Sequence, residues 1–398
     1  MEITRANTHE SYQHEAKSRT ERIKEKLLSS PYEVCIERAL LYTESYKETK
    51  GEPPAIRAAK ALLKTLNEMT IYIDEDELLV GNRTSKRLAG VIPVERGDIN
   101  VVLKMEMDRL EKRKRPFLLS KEDKRVLKEE ILPYWEGKTI RDRKASLWAE
   151  KGLMKLKRDA LSSLLKMVRG FGIRNSRKMI RSLGGLRLSA LLLGEISKLC
   201  PNLGIDIFDV QGHLVLGHEN VINEGFNRIR ERAKKHLKKL NVKNPSSDDQ
   251  KKISFLKAVI MCCDAAIGFA RRFAEEATKL AEKETSAKRK AELLKIAENC
   301  RWVPANPPRT FYEAIQCLWF TQVISQISYG MAGTFALGRV DQYLYPFYKK
   351  DIKNGRITKG EAQELIEELC LKLTSNILLL PEAGIETAST LGTSPQPI

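Results

Sequence analysis

The sequence predicts an α/β chain of predominantly helical content, and three observations carry that prediction. Apolar residues recur at three- and four-residue spacing over most of the chain. Ser, Thr, Gly and Pro stand where those stretches would begin and end. Only a few short runs, among them Ile71-Tyr-Ile73, Leu78-Leu-Val80 and Ile205-Asp-Ile-Phe-Asp-Val210, have an extended pattern. At 398 residues and 42% apolar content the chain can bury a sizeable core. Met1 to Glu21 contains no apolar leader-like stretch, and no later run approaches about 18 consecutive apolar residues, so neither export nor a membrane span is expected. The seven cysteines show neither CxxC nor zinc-ligand spacing, which points to a reduced, cytoplasmic compartment.

In chain order, Ser30-Pro31 precedes a helix expected to run through Val34, Cys35, Ala39 and Tyr46, ending at Lys50-Gly51 before Pro53-Pro54. A second helix is expected from Ile56 to about Asn67. The acidic turn Asp74-Glu-Asp76 then separates the two short extended pieces. Helices follow from about Ile99 to Lys112 and from the N-cap Ser120 to Leu132, which Pro133 should close. After Ile205–Val210, expected as a strand, the loop Gly212-His213 leads to a helix beginning near Val221. The longest helix is expected from about Gln250 to Glu284, with Leu256, Val259, Cys263, Ala266, Ile267, Ala270 and Phe273 along its apolar stripe. A buried helix spans Phe311 to Ile327 and is interrupted by the turn Gly330-Met-Ala-Gly333. Thr358 with Glu361 forms a capping box for the last helix, and the chain after Lys372 is expected as loop.

The net charge of +18 is concentrated locally. Residues 151–190 carry eleven Lys or Arg against the single Asp159, a local excess of +10. Leu153, Met154, Leu161, Leu164, Leu165 and Val168 interleave these charges at helical spacing, giving a basic amphipathic insertion that breaks at Gly170-Phe-Gly172. Docking on an acidic partner, an anionic surface or phosphates fits that pattern, and so does an ordinary solvated helix face. Aromatic residues for base stacking are nearly absent there, so nucleic acid is not the expected partner.

Several ordered motifs together carry a family resemblance. They are Ala39-Leu-Leu-Tyr-Thr-Glu-Ser-Tyr-Lys-Glu-Thr49, Gly51-Glu-Pro-Pro54, Glu77-Leu-Leu-Val-Gly-Asn82, Tyr134-Trp-Glu-Gly-Lys-Thr139, Gly212-His213, Val303-Pro-Ala-Asn-Pro-Pro-Arg-Thr-Phe-Tyr-Glu-Ala314 and Gly338-Arg-Val-Asp-Gln-Tyr-Leu-Tyr-Pro-Phe-Tyr348. On these the chain resembles the amino-terminal half of a glycyl radical enzyme, in the pyruvate formate-lyase-like group and its glycerol dehydratase and choline lyase branch. The resemblance treats residues 1–398 as one such domain, with residues 151–190 inserted in it. It implies the amino-terminal half of a ten-stranded α/β barrel, incomplete at the carboxyl end, with helices outside and a finger loop inside. It further implies radical cleavage of a C–C or C–heteroatom bond in a small-molecule substrate, of lyase, dehydratase or formate acyltransferase type. A homodimer and an activating enzyme that uses S-adenosylmethionine and an iron–sulfur cluster are implied as partners.

Both radical-bearing residues of that family are expected beyond residue 398. The family's thiyl cysteine lies in a Gly-Cys-x-Glu motif and its radical glycine in an Arg-Val-x-Gly-Tyr motif, and neither string occurs here. Catalytic residues are therefore expected to be none in this chain, with no bound cofactor or metal, and the chain alone is expected to be inactive. Cys35-Ile-Glu37 mimics the cysteine motif only superficially, as an expected packing residue. His213 aligns with a histidine that the glycerol dehydratase branch directs at a substrate hydroxyl, and Thr334 with a small hydroxyl residue that contacts substrate there. A structural loop histidine and a turn threonine bonded to its own backbone remain equally open. Where many members have a Glu-Ser or Glu-Asn pair before the glycine turn, this chain has Tyr329, which removes a carboxylate, supplies an aromatic ring at the substrate side and points to a different or more apolar substrate. His218 lacks a visible third ligand for a metal. Arg339 and Asp341 are expected to form a structural ion pair. The competing interpretation is a catalytically silent structural or interaction module.

Overall fold

A computed structural model of the protein describes residues 17–150, 214–240, 245–330, 335–375 and 377–379. The basic stretch 151–190, the expected strand 205–210, Cys200, His213 and Thr334 lie outside the described residues.

Helix α1 (Arg19–Ser29) opens with a capping box, Ser18 accepting from the Glu21 N–H while the Glu21 carboxylate accepts from Ser18. The next segment departs from expectation. Glu33–Cys35 is a strand, β1, and helix α2 (Glu37–Glu48) begins only after it. The Glu33 N–H donates to the Leu88 carbonyl and the Val34 N–H to that of Leu118, both at 2.9 Å, so cross-strand partners outcompete local helical bonding. Strand β2 (Ala89–Val91), absent from the expected elements, pairs with β1 in parallel at Glu33↔Ala89, Val34↔Gly90 and Cys35↔Val91. Single bridges from Glu33 to Leu118 and from Gly90 to Ile377 extend this ladder on its two outer sides.

Helix α3 (Pro54–Glu68) follows with Pro at its first turn, where the missing N–H costs nothing. The pieces expected as extended at 71–73 and 78–80 form no strand. Their backbone groups are satisfied by side chains: Leu78 and Leu79 N–H donate to the Glu368 carboxylate, and Val80 exchanges two bonds with the Gln316 amide. Helix α4 (Asp98–Glu106) runs into a 3-10 turn at Met107–Lys112. Ser120 caps α5 (Lys121–Val126) as expected, accepting from Asp123 N–H. Pro133 does not close that stretch. A π turn at Leu127–Ile131 re-phases the backbone, so the proline falls in the first turn of a new helix, α6 (Leu132–Trp135). Helix α7 (Ile140–Glu150) completes this part.

Strand β3 (Leu214–Val215) precedes α8 (His218–Lys238), which kinks at Gly225. There φ is +70°, and a Cβ would lie 2.5 Å from the Ala305 carbonyl oxygen, so only glycine lets the 304–306 backbone approach and accept from Phe226 and Asn227 N–H. Helix α9 (Ser247–Lys283) is long and apolar enough by length and composition to cross a membrane. In this fold it is a core helix, its Phe269 and Phe273 rings packing 5.1 Å apart and both meeting Phe320. Helix α10 (Ala287–Trp302) follows, burying Leu293, Ile296, Ala297 and Cys300.

Helix α11 (Phe311–Tyr329) is the axis of the larger core. It buries 15 of its 19 residues, as a stretch that is apolar nearly all round must. The motif that precedes it starts it: Thr310 accepts from Glu313 N–H, Phe311 N–H donates to Asp351, and buried Glu313 pairs with Arg309. Strand β4 (Phe335–Ala336), α12 (Val340–Lys353) and α13 (Lys359–Thr374) complete the described chain, the last with the expected Thr358–Glu361 capping box. Arg339 and Asp341 do pair, at 2.8 Å, but 70% and 65% exposed, where such a pair contributes little.

Candidate functional site

The carboxyl end of α11 is where the fold places sequence-predicted chemistry. Gly330 ends the helix with φ +74°, and a Cβ there would meet Pro93 at 2.5 Å. The last carbonyls of the helix are claimed from α2. Arg38 Nε donates to the Ile327 oxygen at 2.6 Å and Nη2 to that of Ser328 at 2.9 Å, while the Tyr42 hydroxyl donates to Ser328 at 3.2 Å. The same guanidinium forks onto Glu95 at 3.0 and 2.6 Å and lies over the Tyr42 ring, 3.7 Å from its centroid. Burial works against the Arg38 charge, but Glu95 more than offsets it and raises the pKa further above its ordinary value.

Tyr329 is held from two sides. The buried Arg96 guanidinium sits 4.3 Å from its ring centroid, and the Phe335 ring packs at 5.2 Å. Strands β3 and β4 pair in parallel, Leu214↔Phe335 and Val215↔Ala336. Leu214 and Phe335 directly follow His213 and Thr334 in the chain, so the ladder brings together the described neighbours of both predicted substrate contacts. Beside this ladder lies a largely apolar hollow of about 640 Å³, walled by Leu214, Phe226, Cys262, Ile324, Tyr329 and Phe335 among others.

His218 supports the ladder. Its Nε2 lies 3.1 Å from Gln322 Oε1, and Gln322 Nε2 donates to the Phe335 carbonyl at 3.1 Å, so Nε2 carries the proton in this network. Burial lowers its pKa to about 4, leaving the ring neutral. No group of three metal-ligating side chains occurs among the described residues. Burial raises the thiol pKa of Cys35, Cys262, Cys300 and Cys370, and lifts Cys263 and Cys317 to about 12. Cys35, on β1 rather than on a helix, packs with its sulfur 3.5 Å from the Ser85 hydroxyl. Sequence reasoning gave no hint of Arg38, Glu95, Arg96 or Gln322, because their partners lie far away along the chain.

The fold and this site define a class before any closer relative is considered: an α/β scaffold whose parallel strand ends frame a cavity. The pyruvate formate lyase-like family model matches residues 10–173 and 203–390. Isethionate sulfite-lyase of Nitratidesulfovibrio vulgaris is 36% identical over 336 residues, covering 84% of this chain and 36% of that protein. Trans-4-hydroxy-L-proline dehydratase of Clostridioides difficile is 29% identical over 374 residues, covering 92% and 41%. Among solved structures, the glycerol-bound B12-independent glycerol dehydratase of Clostridium butyricum matches with a TM-score of 0.70 and 30% identity, over 94% of this chain and 42% of that one. A glycyl radical enzyme from Archaeoglobus fulgidus matches at 0.71 and 30%, over 90% and 40%. The chain belongs to the pyruvate formate lyase-like family of glycyl radical enzymes. It spans about two fifths of the length of these relatives. Neither a Gly-Cys-x-Glu string nor an Arg-Val-x-Gly-Tyr string occurs in the 398 residues.

Proposed function

We propose that this chain forms the substrate-facing wall of a glycyl radical lyase or dehydratase that cleaves a carbon–heteroatom bond in a small polar molecule. The observation that carries this is the β3–β4 register. Leu214 and Phe335, paired in that register, directly follow His213 and Thr334 in the sequence, and the Phe335 ring packs against Tyr329 at 5.2 Å. In this arrangement the His213 imidazole hydrogen-bonds a substrate hydroxyl or protonates a departing group. The Thr334 hydroxyl fixes the substrate's orientation, and Tyr329 with the apolar hollow keeps water away. Relatives named for sulfite release and for dehydration support heteroatom loss.

The radical glycine and thiyl cysteine are supplied by sequence outside these 398 residues, and a radical S-adenosylmethionine activating enzyme installs the radical. The protein works as a cytoplasmic homodimer without nucleic acid or membrane. The basic stretch 151–190 is an insertion on the strength of its charge and length, while the family match runs through residue 173 and resumes at 203. Two experiments test the proposal. Treated anaerobically with the activating enzyme, the 398-residue chain should show no glycyl doublet by electron paramagnetic resonance; a doublet would refute the assignment of the radical elsewhere. Joined to a segment carrying both radical motifs, it should release sulfite from isethionate or water from a small diol, and His213→Ala should lower kcat by roughly 100-fold. Turnover indifferent to His213→Ala, Thr334→Ala and Tyr329→Ala would remove the site.

A further inference from the structure

We propose that the apolar hollow beside Tyr329 seats an uncharged hydrocarbon tail of the substrate, branched-alkyl or aromatic, behind the polar end that reacts. The inference rests on the reading of His213 and Thr334 as contacts to that polar end, and it names what the rest of the molecule must be. The hollow, of about 640 Å³, lies between α3, α8, α9 and α11. Leu214 and Phe335, which directly follow His213 and Thr334, belong to its lining, so the hollow and the proposed contacts are consecutive along the chain.

The chemistry of the lining decides the class of the tail. Among the described residues no Lys, Arg, His, Asp or Glu lines the hollow. A sulfonate, carboxylate or ammonium entering it would lose its water without gaining a partner, a cost that excludes a charged tail. The few polar groups are spent or neutral. The Ser325 hydroxyl donates to the Thr321 carbonyl at 2.8 Å, and the Ser328 carbonyl accepts from Arg38 and Tyr42. Burial keeps the Cys262 and Cys263 thiols protonated, and in that form they act as small hydrophobes.

Size and exposure point the same way. The volume falls within the roughly 300–1,000 Å³ of small-molecule pockets and matches about 20 liquid waters at about 30 Å³ each. Water finds few partners against such walls, so hydrocarbon that displaces it is favoured in proportion to the apolar area covered. A three-carbon diol leaves most of this space wet. Along α3 the wall is Ala55, Ala58 and Ala59, side chains too short to fill it, which leaves width for a ring. At the rim Phe255 is 61% and Leu214 44% exposed, two apolar side chains from different elements left open to solvent around one hollow.

The test measures binding of propane-1,2-diol, hexane-1,2-diol and phenylethane-1,2-diol to the 398-residue chain by isothermal titration calorimetry, with the para-carboxylated phenylethane-1,2-diol as the charged counterpart. Each added methylene should tighten binding roughly threefold to fourfold, the phenyl diol should bind at least about tenfold more tightly than propane-1,2-diol, and the para-carboxylate should cancel that gain. Cys262→Leu grows into the hollow, and Phe255→Ala removes a mostly exposed rim residue at no cost to the core. Cys262→Leu should reduce the preference for hexane- over propane-1,2-diol to less than about twofold, and Phe255→Ala should weaken it several-fold. Affinity that stays flat from propane- to hexane-1,2-diol would overturn the proposal, whether water or the chain's own residues fill the hollow. A full preference surviving in Cys262→Leu would overturn it equally, by placing the tail elsewhere. The underlying reading fails separately. A tail preference that persists while His213→Ala and Thr334→Ala bind every diol as wild type does would remove those two contacts and leave the tail site standing. Weakened propane-1,2-diol binding in His213→Ala, with no tail preference in wild type, would do the reverse.

Discussion

At the scale of single residues, sequence visibility and structural weight can part company. Arg38 reads in the sequence as one more basic residue of an amphipathic helix, yet it is buried and joins two carbonyls of α11 to Glu95, 57 residues away. Arg38→Met would strand Glu95 and two helix-end carbonyls, at a cost of about 3 kcal/mol or more in urea unfolding. Tyr329 was legible as an aromatic ring at an otherwise polar family position, but its clamp by Arg96 was not, since nothing local announces a cation–π pair between distant segments. His218 gives a pH test. Its folded pKa of about 4 lies below the ordinary 6.5, so the unfolded chain binds the proton first on acidification. Stability from this group is full above about 6.5 and is lost as pH falls toward 4. In His218→Gln that part of the acid dependence should vanish from thermal melts; an unchanged slope would show that the ring is not buried neutral.

At the scale of elements, several helix caps were legible, whereas the Ser30-Pro31 and Pro133 signals misplaced boundaries and strands β1 and β2 were not foreseen. Thr358 with Glu361, and Ser120 with Asp123, cap their helices as their spacing predicts. Thr358→Ala should cost about 1 kcal/mol, read as a shift in denaturation midpoint at constant slope. Strands β1 and β2 escaped because each is three residues long, too short for alternation to register, and their partners are far apart in the chain. The 71–80 segment looked extended for the opposite reason: it is apolar, but Glu368 and Gln316 take the place of a strand neighbour. Burial pushes the Glu368 carboxyl up to about 8, against the opposing pull of Lys372 and the Leu78 and Leu79 N–H groups. A carboxyl raised this way holds its proton in the folded state after the unfolded chain has released it. Stability therefore falls as pH rises from about 4.5 toward 8. Glu368→Gln should flatten that decline in melts taken across the window, and a decline of wild-type steepness would contradict the assignment.

At the scale of the whole molecule, the family was legible in the sequence because several spaced motifs encode scaffold positions. The fold shows what one of those motifs does. Residues 303–314 start α11, and Pro304 and Ala305 accept from the residues just after the Gly225 kink. The architecture then presents the ends of β3 and β4 to an apolar hollow beside Tyr329. What no local pattern could reveal was the parallel pairing of 214 with 335, a contact between residues 121 positions apart. The account rests on that pairing carrying His213 and Thr334 into one site. Its most direct test is a cross-link in the 398-residue chain, His213→Cys combined with Thr334→Cys, followed by mild oxidation and mass spectrometry. The account predicts a disulfide between the two introduced thiols, a bond that forms only where the Cα atoms come within about 4.4–6.8 Å of each other. Two thiols that stay free, or that pair with native cysteines instead, would contradict the convergence of the two residues on a common substrate.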